Sequence, residues 1–210
     1  MTSNAAVNPL ITPGGLTLYL LNATSLAKHC AIQQLSVDIM QLQPHVVLIT
    51  ETWFNSKHSN DCVSVTSYEL YRKDRTGRKG GGVCVYVRDD IACTMIPCQS
   101  SSDIDILQLH LLYEQISYCI ACVYHPPRPR YQPQALTDTI VTGLDSFLAT
   151  NCNSGIGSTI FIAGDFNSYD GSYGLVQVVD AVTHGSNILD QVYTNRSDIY
   201  HAVVSKSLII

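Results

Sequence analysis

Five apolar runs in this 210-residue chain end on, or close around, a polar side chain suited to chemistry. Asn22 follows "LTLYLL", Glu51 closes "HVVLIT", Tyr124 ends "CIACVY", Asp165 and Asn167 follow "IFIAG", and Asp190 sits within "NILDQVY". Taken singly, each is an ordinary turn or cap residue after a strand. Repeated five times, the pattern suits the strand ends of an α/β sheet, where reactive groups are mounted. Spacing alone does not bring them together. If they do converge, the residue types fit metal-assisted phosphodiester hydrolysis. Carboxylate oxygens are hard ligands for Mg²⁺, a second carboxylate can orient or deprotonate water, and amide and phenol donors can hold a phosphate.

A second cluster is basic. Arg72, Lys73, Arg75, Arg78 and Lys79 place five of the twelve cations within eight residues, although the chain carries a net charge of −5. The total argues against general polyanion binding, while the local patch remains a candidate contact for nucleic-acid phosphates; a solvated hairpin is the alternative. Gly80 to Gly82 read as a permissive turn rather than a nucleotide loop, since no Walker pattern follows. Cys119-Ile-Ala-Cys122 has redox or half-zinc-site spacing. It lies within the β-rich "ISYCIACVY" with no second Cys/His pair nearby, so buried strand thiols are expected.

The elements needed to position these groups follow from periodicity. Strands are expected at 16–21, 45–50 and four times between 68 and 124, then at "STIFIAG", "NILDQVY" and "YHAVV". Helical spacing covers 26–43, with Ser25 as N-cap, and 134–149. A β-rich centre bracketed by helices implies two sheets packed face to face with helices outside. With 46% hydrophobic and 14% charged residues, the chain reads as one globular domain over 16–210, preceded by a flexible extension at 1–15. No segment has the length of a membrane span or the pattern of a secretory signal, so an intracellular protein with reduced cysteines and no membrane partner is expected.

In order, "LLNATSL", "HVVLITETWF", "YRKDRTGRKGGGVCVYV", "CVYHPP", "FIAGDFN" and "NILDQVYTN" resemble the endonuclease domain of non-LTR (LINE-type) retrotransposons. Those domains belong to the endonuclease/exonuclease/phosphatase superfamily, alongside the apurinic/apyrimidinic endonucleases. The resemblance covers about residues 16 to 204. It implies a four-layer α/β/β/α sandwich, Mg²⁺ (with Mn²⁺ as a substitute) as cofactor, DNA as partner, an attached reverse transcriptase, and work in the nucleus. It places Glu51 on the metal with Asn22 in support. Asp165 would activate water, Asn167 and Tyr124 would contact the scissile phosphate, and Asp190 would orient a catalytic histidine. Arg72, Arg75, Arg78 and Lys79 would lie beside the DNA.

Two departures qualify that implication. The family's closing Ser-Asp-His, which brings an acid to the metal and a histidine to the phosphate, does not occur before "SKSLII". Ser197-Asp198 is followed by Ile199, and neither His184 nor His201 occupies the family's position. The resemblance therefore implies a domain truncated at its C-terminus, lacking the last strand region and reduced in activity. The alternatives are a dead remnant that still binds DNA or protein, and a superfamily phosphatase. The interval between Asn167 and Asp190 is also short for the family, and Thr24 stands where an arginine is common.

Overall fold

The computed structural model describes residues 5–10, 15–97, 101–151, 157–167, 169, 171 and 173–209. In chain order these residues form β1 (Ala5–Leu10), β2 (Leu18–Asn22), α1 (Ala31–Leu42), β3 (Val46–Thr50), α2 (Asn60–Val63), β4 (Tyr68–Lys73), β5 (Val83–Arg88) and β6 (Ala92–Met95). The second half adds β7 (Asp105–Tyr113), β8 (Ile116–Tyr124), α3 (Pro133–Asn151), β9 (Ser158–Asp165), β10 (Val176–Gln177), β11 (Asp190–Thr194) and β12 (His201–Lys206).

The strands divide into two six-stranded sheets, ordered β12-β1-β2-β3-β5-β4 and β10-β11-β9-β8-β7-β6. Their central members are apolar on both faces, as strands buried between two layers must be. Alternation then sends neighbours into different cores. Leu48 and Val85 point between the sheets toward Leu109, Ile120 and Phe161, whereas Ile49 and Tyr86 pack under Leu35 and Ile39 of α1. On the far side, Ile106, Ala121 and Ile162 meet Leu136, Ile140 and Phe147 of α3. The layer order is helix, sheet, sheet, helix, as expected for the α/β/β/α sandwich.

Strand pairing carries the candidate residues to one place. β2 and β3 are parallel with Asn22 opposite Thr50, one residue short of Glu51. β8 and β9 are parallel with Tyr124 opposite Asp165, and β11 returns antiparallel with Asp190 opposite the same Asp165. Gly164 makes the β8–β9 alignment feasible. Its φ is +155°, and a Cβ there would lie 1.8 Å from the Val123 carbonyl oxygen, so only glycine fits between the strands.

Three expectations are corrected. Part of the segment set apart as an extension, Ala5–Leu10, is a strand pairing with both β12 and β2. The first helix begins at Ala31, not near 26, and its cap is Cys30 rather than Ser25. The reason is tertiary: the amides of Ala23 and Ser25 donate to the carbonyls of Thr50 and Glu51, which holds this stretch against the end of β3. Finally, β1, β6, β10 and α2 were not anticipated; β6 and β10 are short and α2 is a single turn. Cys119 and Cys122 are fully buried on opposite faces of β8, as strand thiols rather than a redox pair.

Candidate active site

Asn22, at the end of β2, is the hub of the site. Its amide nitrogen donates to Glu51 Oε1 at 3.0 Å and to Asp165 Oδ2 at 2.7 Å, which joins the first sheet to the second. Its oxygen accepts from the Thr24 amide at 3.0 Å, so the side chain cannot turn over without losing all three contacts. Glu51 follows β3 with φ +54°, an uncommon conformation for a non-glycine residue. This turn aims the carboxylate back toward Asn22, while Glu51 Oε2 accepts from Trp53 Nε1 at 3.1 Å.

Asp165 ends β9 and is 4% exposed. Its Oδ1 accepts from the backbone and side-chain nitrogens of Asn167 at 3.0 and 2.8 Å. Burial chiefly, with the charge of Glu51 added, pushes its carboxyl up to about 6, although donors from Asn167 and Asn22 oppose the rise. Asn167, with φ +50°, also donates to the His125 carbonyl at 2.7 Å, so both of its amide hydrogens are engaged.

Asp190 is equally buried, but its Oδ1 has no hydrogen-bond partner among the described residues. Burial first, then the charges of Asp165 and Glu51, push it up to about 8; Thr183 partly offsets this. His184 and His201 are both exposed in other elements. Tyr124, 6% exposed, is held protonated by burial and by the charges of Glu51 and Asp165.

The strand-end residues thus come together, while the basic cluster divides. Arg72 pairs with Asp74, donates to the His58 and Asn55 carbonyls and lies over Phe54. Arg75 is buried against Asp105, with its guanidinium 5.0 Å from the centre of the Tyr124 ring. Both were expected to face DNA; Arg75 instead satisfies Asp105 inside the fold, because a buried carboxylate requires a partner, and Arg72 is engaged by the partly exposed Asp74. Lys79 is exposed and lies 5.5 Å from the centre of the Trp53 ring, whereas Arg78 is half-buried, its Nε and Nη2 without a hydrogen-bond partner among the described residues.

Two participants were missed in the sequence. Trp53, the chain's sole tryptophan, directs Glu51; its place in "ETW" was visible but its role was not. Asp105 receives the Gly82 amide at 3.0 Å as well as Arg75, pinning the 75–82 loop of the first sheet to the second. An acid opening the apolar run "DILQLHLL" was the available signal. Gly81 completes this junction: with φ +73° it lets the chain pass so close to Arg75 that a Cβ would fall 2.1 Å from the guanidinium carbon.

The oxygen-rich donor set fits a hard divalent cation, since the charge of Glu51 opposes ionisation of Asp165, and both oppose that of Asp190, with no cationic side chain among the hydrogen-bond partners described for them. Among the described residues no cluster of three or more His, Cys, Asp or Glu side chains forms a ready-made metal cage. A site sharing its ligands with water and substrate is the fitting type. Nor is any described helix long and apolar enough to cross a membrane.

The sequence model described as the Endonuclease/Exonuclease/phosphatase family matches residues 1–205. No curated protein matches this chain in sequence. Among solved structures, the human Nocturnin catalytic domain with bound sulfate superposes with a TM-score of 0.61 at 11% identity, over 90% of this chain and 85% of that one. The endonuclease domain of TRAS1, a telomere-specific non-LTR retrotransposon, gives 0.55 at 11% identity, over 92% and 98%. Danio rerio TDP2 complexed with a single-strand DNA product gives 0.52 at 14% identity, over 85% and 83%. At these identities the likeness is one of fold.

Proposed function

The chain belongs to the endonuclease/exonuclease/phosphatase family, and on that premise we propose that it is a divalent-metal-dependent DNA endonuclease of retrotransposon type. Family members are hydrolases, nucleases and phosphatases among them. The observation that carries the choice is the Glu51–Asn22–Asp165 chain of hydrogen bonds, which draws acids from both sheets onto one spot. The order of the six sequence motifs and the fold shared with the TRAS1 domain support the retrotransposon assignment, with a reverse transcriptase as natural companion and the nucleus as place of work. The fold shared with a TDP2 bound to single-strand DNA product supports DNA as substrate.

Glu51, supported by Asn22, would hold Mg²⁺ or Mn²⁺, which when bound supplies positive charge to offset that developing on the phosphoryl oxygens. The remaining work falls to the chain. Asp165, with a carboxyl at about 6, is mostly ionised at neutral pH yet close enough to accept a proton from the attacking water. Tyr124 keeps its phenolic proton and can donate it in a hydrogen bond to a phosphate oxygen. Asn167 can do the same only by exchanging one of its present acceptors, Asp165 or the His125 carbonyl, for the phosphate.

Asp190 favours a second reading, a domain with DNA affinity and strongly reduced turnover. Its unpartnered oxygen matches the place where the family resemblance puts an imidazole N–H. Incubation of the 210-residue chain with supercoiled plasmid and Mg²⁺ or Mn²⁺ is expected to give slow conversion to nicked circles, accelerated about tenfold or more by added imidazole. Absence of nicking with either metal, with and without imidazole, would refute the endonuclease reading. Retained DNA binding in that case would establish the second one.

A further inference from the structure

We propose that Arg75 is a positioning residue of the active site: anchored by Asp105, its guanidinium lies over the Tyr124 ring and fixes the phenol in the attitude at which its hydroxyl meets the phosphate. The phosphate rests on the endonuclease reading; the hold on the ring rests on contacts within the fold.

Strand register shows why the phenol needs holding. Asp105, Tyr124, Asp165 and Asp190 stand directly opposite one another across β7, β8, β9 and β11, a single row in which opposed side chains share a face of the sheet. The phenol is therefore flanked by carboxylates. The charges of Glu51, Asp165 and Asp105 all act on it, and that of Arg75 opposes them. Among the described residues no hydrogen bond fixes the Tyr124 hydroxyl, in contrast to the amides of Asn22 and Asn167. What lies against the ring is a cation. The Arg75 guanidinium carbon is 5.0 Å from the ring centre, and 5% of its side chain and none of that of Asp105 is exposed. Out of water, the attraction of a guanidinium for an aromatic face is stronger than at the surface.

The ion pair is shaped for more than neutralisation. An arginine that only neutralises a carboxylate typically offers it two parallel donors. Here Nη2 binds Asp105 Oδ2, while Arg75 Nε and Asp105 Oδ1 are both buried without a partner among the described residues. The guanidinium is seated against the ring at the expense of a second hydrogen bond. The loop is built around that seat: a Cβ on Gly81 would fall 2.1 Å from the guanidinium carbon, and the Gly82 amide donates at 3.0 Å to the same Asp105 oxygen that Arg75 uses. The loop also reaches the candidate metal carboxylate. The carbonyls of Gly82 and Gly81 accept the amides of Thr52 and Trp53, directly after Glu51, at 3.3 and 2.9 Å. Arg75 thus ties Tyr124 of the second sheet to Glu51 of the first.

The test removes the pair without stranding a charge. Arg75→Met with Asp105→Leu is combined with Tyr124→Phe, and the four chains, wild type included, are compared in plasmid nicking with Mg²⁺ and imidazole. Loss of the pair is expected to lower the maximal rate about tenfold or more and to leave the half-saturating plasmid concentration unchanged, since buried Arg75 is out of reach of DNA. In the Tyr124→Phe background the same change is expected to cost nothing further. A merely structural pair would lower the rate by the same factor in both backgrounds, and that additive result would overturn the proposal. Arg75→Lys, which keeps the charge beside Asp105 without the flat guanidinium, is expected to recover only part of the rate, and it replaces the double substitution if that chain does not fold.

The hold on the ring is read separately, in the metal-free chain carrying ¹³C-labelled tyrosine rings, with Tyr124 assigned through Tyr124→Phe. The two edges of the ring are expected to give separate signals in the wild type and one averaged signal once the guanidinium is removed. Identical ring signals in wild type and variants would refute the proposal even if nicking falls. A ring freed as expected in a chain whose wild type never nicks counts against the endonuclease reading and leaves the hold of Arg75 on Tyr124 established.

Discussion

Asp165 and Asp190 face each other across the β9–β11 register, at 4% and 5% exposure, and differ in almost everything else. Asp165 accepts three hydrogen bonds, one from the Asn22 side chain across the sheets and two from the backbone and side-chain nitrogens of Asn167, so both of its oxygens are met. Asp190 receives no hydrogen at Oδ1 and is pushed up by burial first and then by the charge of its neighbour. One side of the site is preorganised with its partners in place, while the other holds an acceptor awaiting a donor. Preorganised donors act without rearrangement during reaction, whereas an unmet buried group costs stability until something fills its place.

That contrast is open to attack by substitution. The largest effect is expected at the preorganised side: Asp165→Asn or Glu51→Gln should lower plasmid nicking on the order of 10²- to 10³-fold, measured as initial rate. Next comes the buried ion pair below Tyr124. Arg75→Met strands Asp105 and should cost about 3–5 kcal/mol in urea denaturation, while the double change Arg75→Met with Asp105→Leu should recover much of it. Arg72→Met, at a more exposed pair, should cost clearly less.

A smaller effect separates the two aspartates by pH. Both carboxyls are raised in the folded state, so folding takes up protons. The resulting stabilisation is present below the ordinary carboxylate range and lost as pH rises through about 6 for Asp165 and about 8 for Asp190. The metal-free chain should therefore melt at progressively lower temperature between pH 5 and 9. Asp190→Asn should flatten the upper part of that slope and raise the midpoint by several degrees at pH 9. An unchanged slope would show that Asp190 already has a partner. Smallest of all, the same substitution should change unassisted nicking by less than about tenfold, yet abolish the acceleration by imidazole.

Periodicity and motif order made the central strands, both long helices and the strand-end residues legible, because buried strands and amphipathic helices leave apolar patterns that one sequence displays. Convergence was not legible: nothing local to Asn22 predicts a bond to Asp165, 143 residues away. The basic run misled for a related reason. Arg72 and Arg75 look like surface cations until Asp74 and Asp105 are seen to take them, and Asp105 comes from the other sheet. The late helix start was equally hidden, since the amide bonds holding residues 23–25 to β3 depend on tertiary placement.

Three buried cysteines turn the layered architecture into a set of independent clocks. Cys84 faces the core under α1, Cys122 the core between the sheets, and Cys119 the core under α3. A thiol reagent can reach each one only after its own interface parts. With the other cysteines replaced, single-thiol variants would time helix undocking on either side separately from parting of the sheets, so the order in which the sandwich comes undone can be read from labelling rates alone.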